Sequence, residues 1–447
     1  MADLDAIFKA YDIRGTVPDQ LDADTSQAIG AAFARFLADG EQVTKVVVAH
    51  DMRPTGPEYS QAFADGVMAQ GVDVVRMGLA STDMLYFASG HLGVPGAVFT
   101  ASHNPAEYNG IKMCRAQAAP IGADSGLDQI KEMTRTGLAP AAHTGSASDI
   151  DLLDAFADHV RSFIDVDGLA PIKIVADTAN GMGGLVAPAV FEALPVDVEI
   201  LYGELDGTFP NHPADPIQPE NQADLIARLQ EVGADIGLAF DGDADRVFLV
   251  DEAGRAISGS LTTALVASRI LAKEPGATVL HNLICSKAVP EVVAEAGGTA
   301  IRTQVGHSYI KADMARTGAA FAGEHSGHYY FRDNWRADSG LIAAMFVLEA
   351  MSDTGLTLSQ LLEPVDRYVA SGEINTRVDD TDEVIERVAD RYQDLHQDRL
   401  DGLTVDAGDW WFNLRASNTE PLLRLNLEAP DQQSCDARVA EVRALFG

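Results

Sequence analysis

The chain of 447 residues is too long for one ordinary domain, and its length points to three or four. Hydrophobic residues make up 47% and charged residues 22%, the balance of a water-soluble globular protein. The formal net charge of −35 repels nucleic acid and anionic membranes, so neither is expected as a partner, and a phosphorylated small molecule could approach only through a local cluster of cations.

The opening segment, MADLDAIFKAYDIRG, lacks the basic start and apolar core of a secretory signal. Ile29, Phe33, Phe36 and Leu37 then recur at helical spacing, and the β-branched run KVVVAHD follows at 45–51. A helix-like stretch from Gly56 leads to VDVVRMG and then to PGAVFTAS, completing one α/β layer. From Leu138 to Ser148 periodicity is lost and small residues gather, as in a linker. A second unit restarts with DLLDAFADHVRSFI and continues through IKIVADTANG, VDVEILYG and ADIGLAFDGDADRVFLVDEAG. A third runs from LTTALVASRILAKEPG through ATVLHNLICS, TAIRTQVGHS and AAFAGEHSGHYYF to LIAAMFVLEAMSDTG. The remainder changes character: SGEINTRVDD, LTVDAGDWWFNLRAS and PLLRLNLEAP read as antiparallel strands, and a last helix sets Cys435, Val439, Val442 and Phe446 on one face. The expected architecture is α/β: three similar mixed α/β domains at 1–144, 145–253 and 254–366, then a smaller α+β domain at 367–447, with the active site in the central cleft. The three cysteines show no CxxC spacing, so neither a disulfide framework nor a structural zinc is expected. No apolar run approaches the ~20 residues of a membrane span. A reduced, cytoplasmic protein is anticipated.

Four polar loops each follow a strand-like run. In TASHNP, Ser102 lies where a strand would end, beside His103 and ahead of Lys112. A serine nucleophile needs a base, a metal or positive charge beside it. The same residues are also ordinary turn chemistry, and no GxSxG elbow supports a serine hydrolase. In DGDADR, Asp241, Asp243 and Asp245 alternate, so their carboxylates can converge on a hard cation. Arg246 occupies the position where an EF-hand requires glycine, and the flanks are strands, which rules that reading out. In GEHSGH, Glu324, Ser326 and His328 could meet sugar hydroxyls, although such a loop is often only a hairpin. RASNTEP combines Arg415 with Ser417, Asn418 and Thr419, a composition that suits either a phosphate cradle or a plain turn. Trp410 and Trp411 read as core and rim, and His281 and Asn282 as loop polarity. The GMGG turn at 181–184 is no dinucleotide fingerprint, and there is no Walker A sequence.

Together with the N-terminal KAYDIRG, these loops resemble, in order and approximate spacing across the whole chain, the α-D-phosphohexomutase superfamily, and within it the phosphomannomutase/phosphoglucomutase group. The resemblance implies a phosphomannomutase that interconverts mannose 6-phosphate and mannose 1-phosphate, and glucose phosphates too, through a phosphoserine and a hexose 1,6-bisphosphate. Phosphoglucomutase or phosphoglucosamine mutase activity is the alternative, with a sugar phosphatase or a non-catalytic binding protein further off. Ser102 would carry the phosphoryl group. Asp241, Asp243 and Asp245, with a phosphoserine oxygen from Ser102, would hold Mg²⁺. Arg246 would steady the phosphoryl group, and Lys112 and His103 would serve proton transfer and charge. Tyr11, Arg14, Lys287, His307, Glu324, Ser326 and His328 would contact substrate, and Arg415, Ser417, Asn418 and Thr419 the distal phosphate. The central His325 of the sugar loop departs from the methionine, glutamine or glutamate common in relatives and leaves the preferred hexose open. A hexose phosphate is the expected partner, hexose 1,6-bisphosphate the activator, and a monomer or weak dimer the assembly.

Overall fold

The computed structural model describes residues 3–40, 43–416 and 422–446. Four sheets follow one another along the chain. The first contains β1 (Ile13–Thr16), β2 (Lys45–His50), β3 (Asp73–Leu79), β4 (Gly96–Phe99), β5 (Tyr108–Cys114) and β6 (Ala147–Asp149), in the order β1-β5-β4-β2-β3-β6. The second contains β7 (Lys173–Asp177), β8 (Asp197–Leu201), β9 (Ile236–Phe240), β10 (Val247–Asp251) and β11 (Ala256–Ile257), in the order β11-β10-β9-β7-β8. The third contains β12 (Thr278–Asn282), β13 (Thr299–Thr303), β14 (Phe321–Gly323) and β15 (Tyr329–Phe331), in the order β13-β12-β14-β15. The fourth is wholly antiparallel: β16 (Val369–Arg377), β17 (His396–Asp398), β18 (Leu403–Asp406), β19 (Trp411–Ala416) and β20 (Leu422–Ala429), ordered β16-β20-β19-β18-β17.

One rule places the functional loops. In each of the first three sheets a parallel core ends in a strand that turns back antiparallel: β4 into β5, β9 into β10 and β14 into β15. TASHNP, DGDADR and GEHSGH are the three connections, all beyond the carboxyl end of a parallel strand, where open α/β sheets hold ligands. The fourth loop joins β19 to β20.

The strand sequences explain why the first three units fuse. Along β2, Val46 and Val48 enter one core while Val47 and Ala49 enter another, so both faces of the sheet are covered and the strand reads as a continuous apolar run. The core on the second face continues through Leu238, Val279 and the helix Gly340–Thr354, which is buried from Gly340 to Met351. A helix apolar all round belongs in the middle of a large core. The fourth unit has a core of its own, including Phe412, Leu414, Leu425 and Val442. The expected linker ends differently from its sequence reading: Ala147–Asp149 pairs in parallel with β3, so the first sheet extends past residue 145. Small residues without hydrophobic periodicity can still complete an edge strand, because the ladder needs only backbone groups. No helix among the described residues is long and apolar enough to cross a membrane.

Candidate active site

Ser102 follows β4 and is 4% exposed. Its φ of +50° lies in the left-handed region, which a residue with a Cβ occupies at a cost of about 1–3 kcal/mol and only where its surroundings enforce it. Its N–H donates to Thr100 Oγ1 at 2.9 Å, and its Oγ donates to Asp241 Oδ2 at 2.7 Å. His103 Nδ1 is 3.4 Å from the same Oγ. Gly242 has no room for a side chain: a Cβ there would lie 2.4 Å from the Ser102 carbonyl oxygen. The serine loop of the first unit and the acidic loop of the second therefore meet backbone to backbone.

Asp241, Asp243 and Asp245 are all within 1% of complete burial. Each offers an oxygen within 4.8 Å of the others. Lys112 Nζ donates to Asp243 Oδ2 and Asp245 Oδ2, both at 2.7 Å, and Arg246 Nε donates to Asp241 Oδ2 at 2.9 Å. Two cations thus face three buried carboxylates, with Lys112 shared between two of them, so negative charge is in excess. Burial, and after it repulsion from its two neighbours against the pull of Arg246, pushes Asp241 up to about 7. Burial likewise raises Asp245, whereas Lys112 overcomes burial and holds Asp243 well below the carboxylate range. Lys112 is itself held far above its ordinary range, because the two carboxylates outweigh its burial. Asp243 Oδ1 and Asp245 Oδ1 are buried without hydrogen-bond partners among the described residues. Each carboxylate gives one oxygen to Lys112 and leaves the other bare, which is the donor set a hard divalent cation takes. A second group of acids and imidazole, Asp245, His328 and Asp338, adjoins the first. His328 Nδ1 donates to Asp338 Oδ2 at 2.9 Å, and Lys311 pairs with Asp338 at 3.0 Å.

A cavity of about 320 Å³ opens on Ser102. Lys9, Arg14, Lys112 and Arg246 place four cationic groups on its wall, with Asp12, paired to Arg14, and Tyr11, His103, His307 and His328 between them. In a chain of net charge −35 this is the local cationic cleft that a phosphorylated ligand requires. Burial, and then Arg246 and Arg14, push His103 down to about 2. Burial and Lys311 take His307 well below its ordinary value. Burial alone would lower His328 too, but Asp245 and the bond to Asp338 outweigh it and raise the imidazole. Arg14 Nη1 donates to Asn104 Oδ1 at 2.6 Å, tying YDIRG to the serine loop. The Tyr11 and His307 rings meet edge-on at 5.3 Å, joining the first unit to the third across the cleft. A larger cavity of about 650 Å³ lies between the third and fourth units, lined in part by Arg255 and Arg367, but neither Ser102 nor the acidic loop borders it.

The remaining expected residues lie outside this cluster. Glu324 is 2% exposed and accepts from Tyr330 Oη at 2.7 Å and Asn282 Nδ2 at 3.2 Å. Ser326 sits partly buried in the same loop. Lys287 Nζ bonds to Asp406 Oδ1 at 3.2 Å and to the Gly408 carbonyl, linking the third unit to the fourth. Arg415 pairs with Glu373 at 3.3 Å in the fourth sheet. Ser417, Asn418 and Thr419 lie outside the described residues.

Family models for phosphoglucomutase/phosphomannomutase match four consecutive segments. Alpha/beta/alpha domain I covers 5–139, domain II 154–254, domain III 258–368 and the C-terminal domain 373–445. The chain belongs to the phosphoglucomutase/phosphomannomutase family. It is 40% identical to a protein of Xanthomonas campestris pv. campestris named phosphohexose mutases, over 98% of each chain. It is also 40% identical to the phosphomannomutase of Salmonella montevideo, again over 98% of each. The solved structure of a family member from Burkholderia thailandensis superposes with a TM-score of 0.91 at 34% identity, covering 100% of this chain and 97% of that one.

Against that family background, three side chains of this site carried no signal in the sequence. Arg53, 1% exposed, lies beneath the serine loop. Thr82, the first residue of the helix Thr82–Leu92, donates through its N–H to the Asp243 carbonyl at 3.1 Å and through Oγ1 to the Asp243 carboxylate. This turns the N-terminus of a helix capped by Ser81 toward the acidic loop, where its partial positive charge is favourable. Asp338 fixes His328. A motif search centred on loops overlooks all three, because each lies outside the loop that it supports.

Proposed function

We propose that the chain is a phosphomannomutase that also accepts glucose phosphates, an isomerase that works by phosphoryl transfer through Ser102. The observation that carries this reading is Ser102 Oγ placed 2.7 Å from a buried three-carboxylate cluster, at the mouth of a cavity walled by four cations. In the phosphorylated enzyme a free hydroxyl of the hexose phosphate attacks the phosphorus. A bond from substrate oxygen to phosphorus forms, the bond from Ser102 Oγ to phosphorus breaks, and a hexose 1,6-bisphosphate results. The intermediate turns round and returns its other phosphate to Ser102, and catalytic amounts of the same bisphosphate reload any serine that has lost its phosphate. Mg²⁺ is the cation assigned to Asp241, Asp243 and Asp245, with a phosphoserine oxygen beside them. When bound it supplies charge neutralisation to the phosphoryl oxygens.

The chain's own groups have distinct tasks on this reading. Arg246 and Lys112 are fixed positive charges beside the transferring group. Lys112, locked between two carboxylates, is countercharge rather than base. His328 donates Nδ1–H to Asp338, which leaves Nε2 as the ring nitrogen available to take the hydroxyl proton. Tyr11, Arg14, His103 and His307 line the substrate cavity, and Glu324 and Ser326 form the sugar-reading loop. The fourth unit holds the phosphate that is not being transferred, through Arg415 and the segment with Ser417, Asn418 and Thr419. Lys287 lies between that unit and the third.

The deciding assay supplies mannose 1-phosphate and a trace of glucose 1,6-bisphosphate, then measures mannose 6-phosphate and free phosphate. The 6-phosphate is expected as product, with glucose 1-phosphate converted at comparable kcat/KM. Release of free phosphate alone would make the protein a phosphatase, and a higher kcat/KM for glucosamine 6-phosphate would replace the substrate assignment.

Arg415→Ala removes a guanidinium whose charged hydrogen bonds are worth about 1.5–3 kcal/mol. KM is expected to rise about ten- to a hundredfold in both directions. Progress curves should stall without added bisphosphate and recover with it, because an intermediate held at one end only escapes before it has turned. Normal turnover without added bisphosphate would remove this role from Arg415.

A further inference from the structure

The planar fork of Arg53 is saturated by backbone carbonyls of one loop. Nη2 donates to Ser102 O at 3.0 Å and Asn104 O at 2.7 Å, while Nη1 donates to Pro105 O and Tyr108 O, both at 2.8 Å. All four acceptors lie between Ser102 and Tyr108, the first residue of β5, on the turn that carries the nucleophile. The guanidinium is anchored from behind. Asp51 Oδ2 lies 3.3 Å from Nε, and Asp51 Oδ1 accepts the Arg53 N–H at 2.9 Å. The second unit closes over the front: the guanidinium carbon sits 5.2 Å from the centre of the Phe209 ring. Gly207 passes so close that a Cβ there would fall 2.6 Å from Arg53 Cα.

No acidic substrate can reach a side chain 1% exposed, so the charge of Arg53 does not serve binding. What it fixes is a backbone conformation. The Ser102 carbonyl is held between Arg53 Nη2 and the bare Cα of Gly242, while Thr100 Oγ1 holds the N–H of the same residue. Those contacts trap Ser102 at a φ of +50°, and its Oγ then points at Asp241. A loop with free carbonyls would relax toward ordinary turn geometry and carry the nucleophile away from the acidic cluster.

We infer that Arg53 is a positioning residue for phosphoryl transfer, which locks the serine loop in its left-handed conformation by gripping four of its carbonyls. The inference rests on the mutase reading. Wild-type turnover tests that reading, whereas the ratio of variant to wild type tests this one.

Arg53→Lys keeps a charge and up to three donors but loses the fork, and Arg53→Met keeps only the apolar stem. Both full-length variants would be loaded from glucose 1,6-bisphosphate, with loading of Ser102 followed by rapid quench and intact mass. Steady-state kinetics would use glucose 1-phosphate at saturating bisphosphate, normalised to folded protein by thermal unfolding. A displacement of about 1 Å costs on the order of a hundredfold in rate. Loading rate and kcat are therefore expected to fall together, about tenfold for Lys and about a hundredfold for Met. KM should stay within about twofold, since no ground-state contact is lost. Unchanged kcat per folded molecule would overturn the assignment, as would a loss confined to KM. If neither variant folds, Arg53 belongs to the stability of the first unit, and the assignment falls as well.

Discussion

Replacing Ser102 with alanine is expected to lower turnover by about 10⁴-fold or more, the scale seen when a covalent nucleophile is removed. Intact mass should find one phosphoryl group on the wild-type protein after incubation with glucose 1,6-bisphosphate and none on the variant. The fold should survive, because the lost group makes few contacts. Ser102 Oγ donates to Asp241, and that carboxylate keeps Arg246 through both Nε and the backbone N–H. Asp241 loses one stabilising hydrogen bond, so its tendency to take up a proton increases. Glucose 1-phosphate should still bind, since the cationic wall of Lys9, Arg14, Lys112 and Arg246 is untouched. The expected signature is intact binding, intact folding and no covalent phosphate. A phosphoryl group found stably on another residue, with turnover retained, would end the assignment of Ser102.

Sequence periodicity recovered the local features well. Ile29, Phe33, Phe36 and Leu37 are all buried on one helix face, and DGDADR does join two antiparallel strands. Local hydrophobic spacing reports which face of an element is covered, and a polar loop after an apolar run marks a strand end. Other features depend on contacts between units and left no local trace. Arg53, in DMRP, belongs to none of the motifs. Its burial comes from Phe209, far along the chain, and its partners are backbone carbonyls that no side-chain pattern encodes. His281 and Asn282 read as loop polarity, yet both are buried, because Asn282 donates to Glu324 from the neighbouring strand end. Lys287 is a substrate contact by the family resemblance, and its bond to Asp406 in the fourth unit has no counterpart in the sequence pattern. That connection depends on how two separate cores dock, which the spacing of residues within either one does not determine.

Changing Asp243 to asparagine is expected to produce two effects of opposite sign. In wild type three buried carboxylates share two cations, Lys112 and Arg246. The excess negative charge lies in a medium where an ion that is not fully compensated is costly, and Asp241, pushed up to about 7, sheds part of it by taking up a proton. A bound divalent cation removes that cost and should raise the unfolding midpoint as its concentration increases, with about 2.7 kcal/mol of linkage at a hundred times its Kd. The amide of asparagine takes away one charge and nearly preserves the shape, so Thr82 can still donate to the side chain, and the two cations then balance the two remaining carboxylates. In the presence of a chelator the variant should unfold at or above the wild-type temperature. With Mg²⁺ added the order should reverse, because only the wild type gains. Activity should move the other way from chelator stability, falling about a thousandfold or more in the variant as the cation that neutralises the phosphoryl oxygens is lost. A simple packing defect would lower the midpoint in both conditions and leave the Mg²⁺ response intact, so the crossing of the two stability orders separates a cation site from a structural one. Full wild-type activity after exhaustive chelation would remove the cation from the reaction. An equal Mg²⁺ response in both proteins would remove Asp243 from the cation.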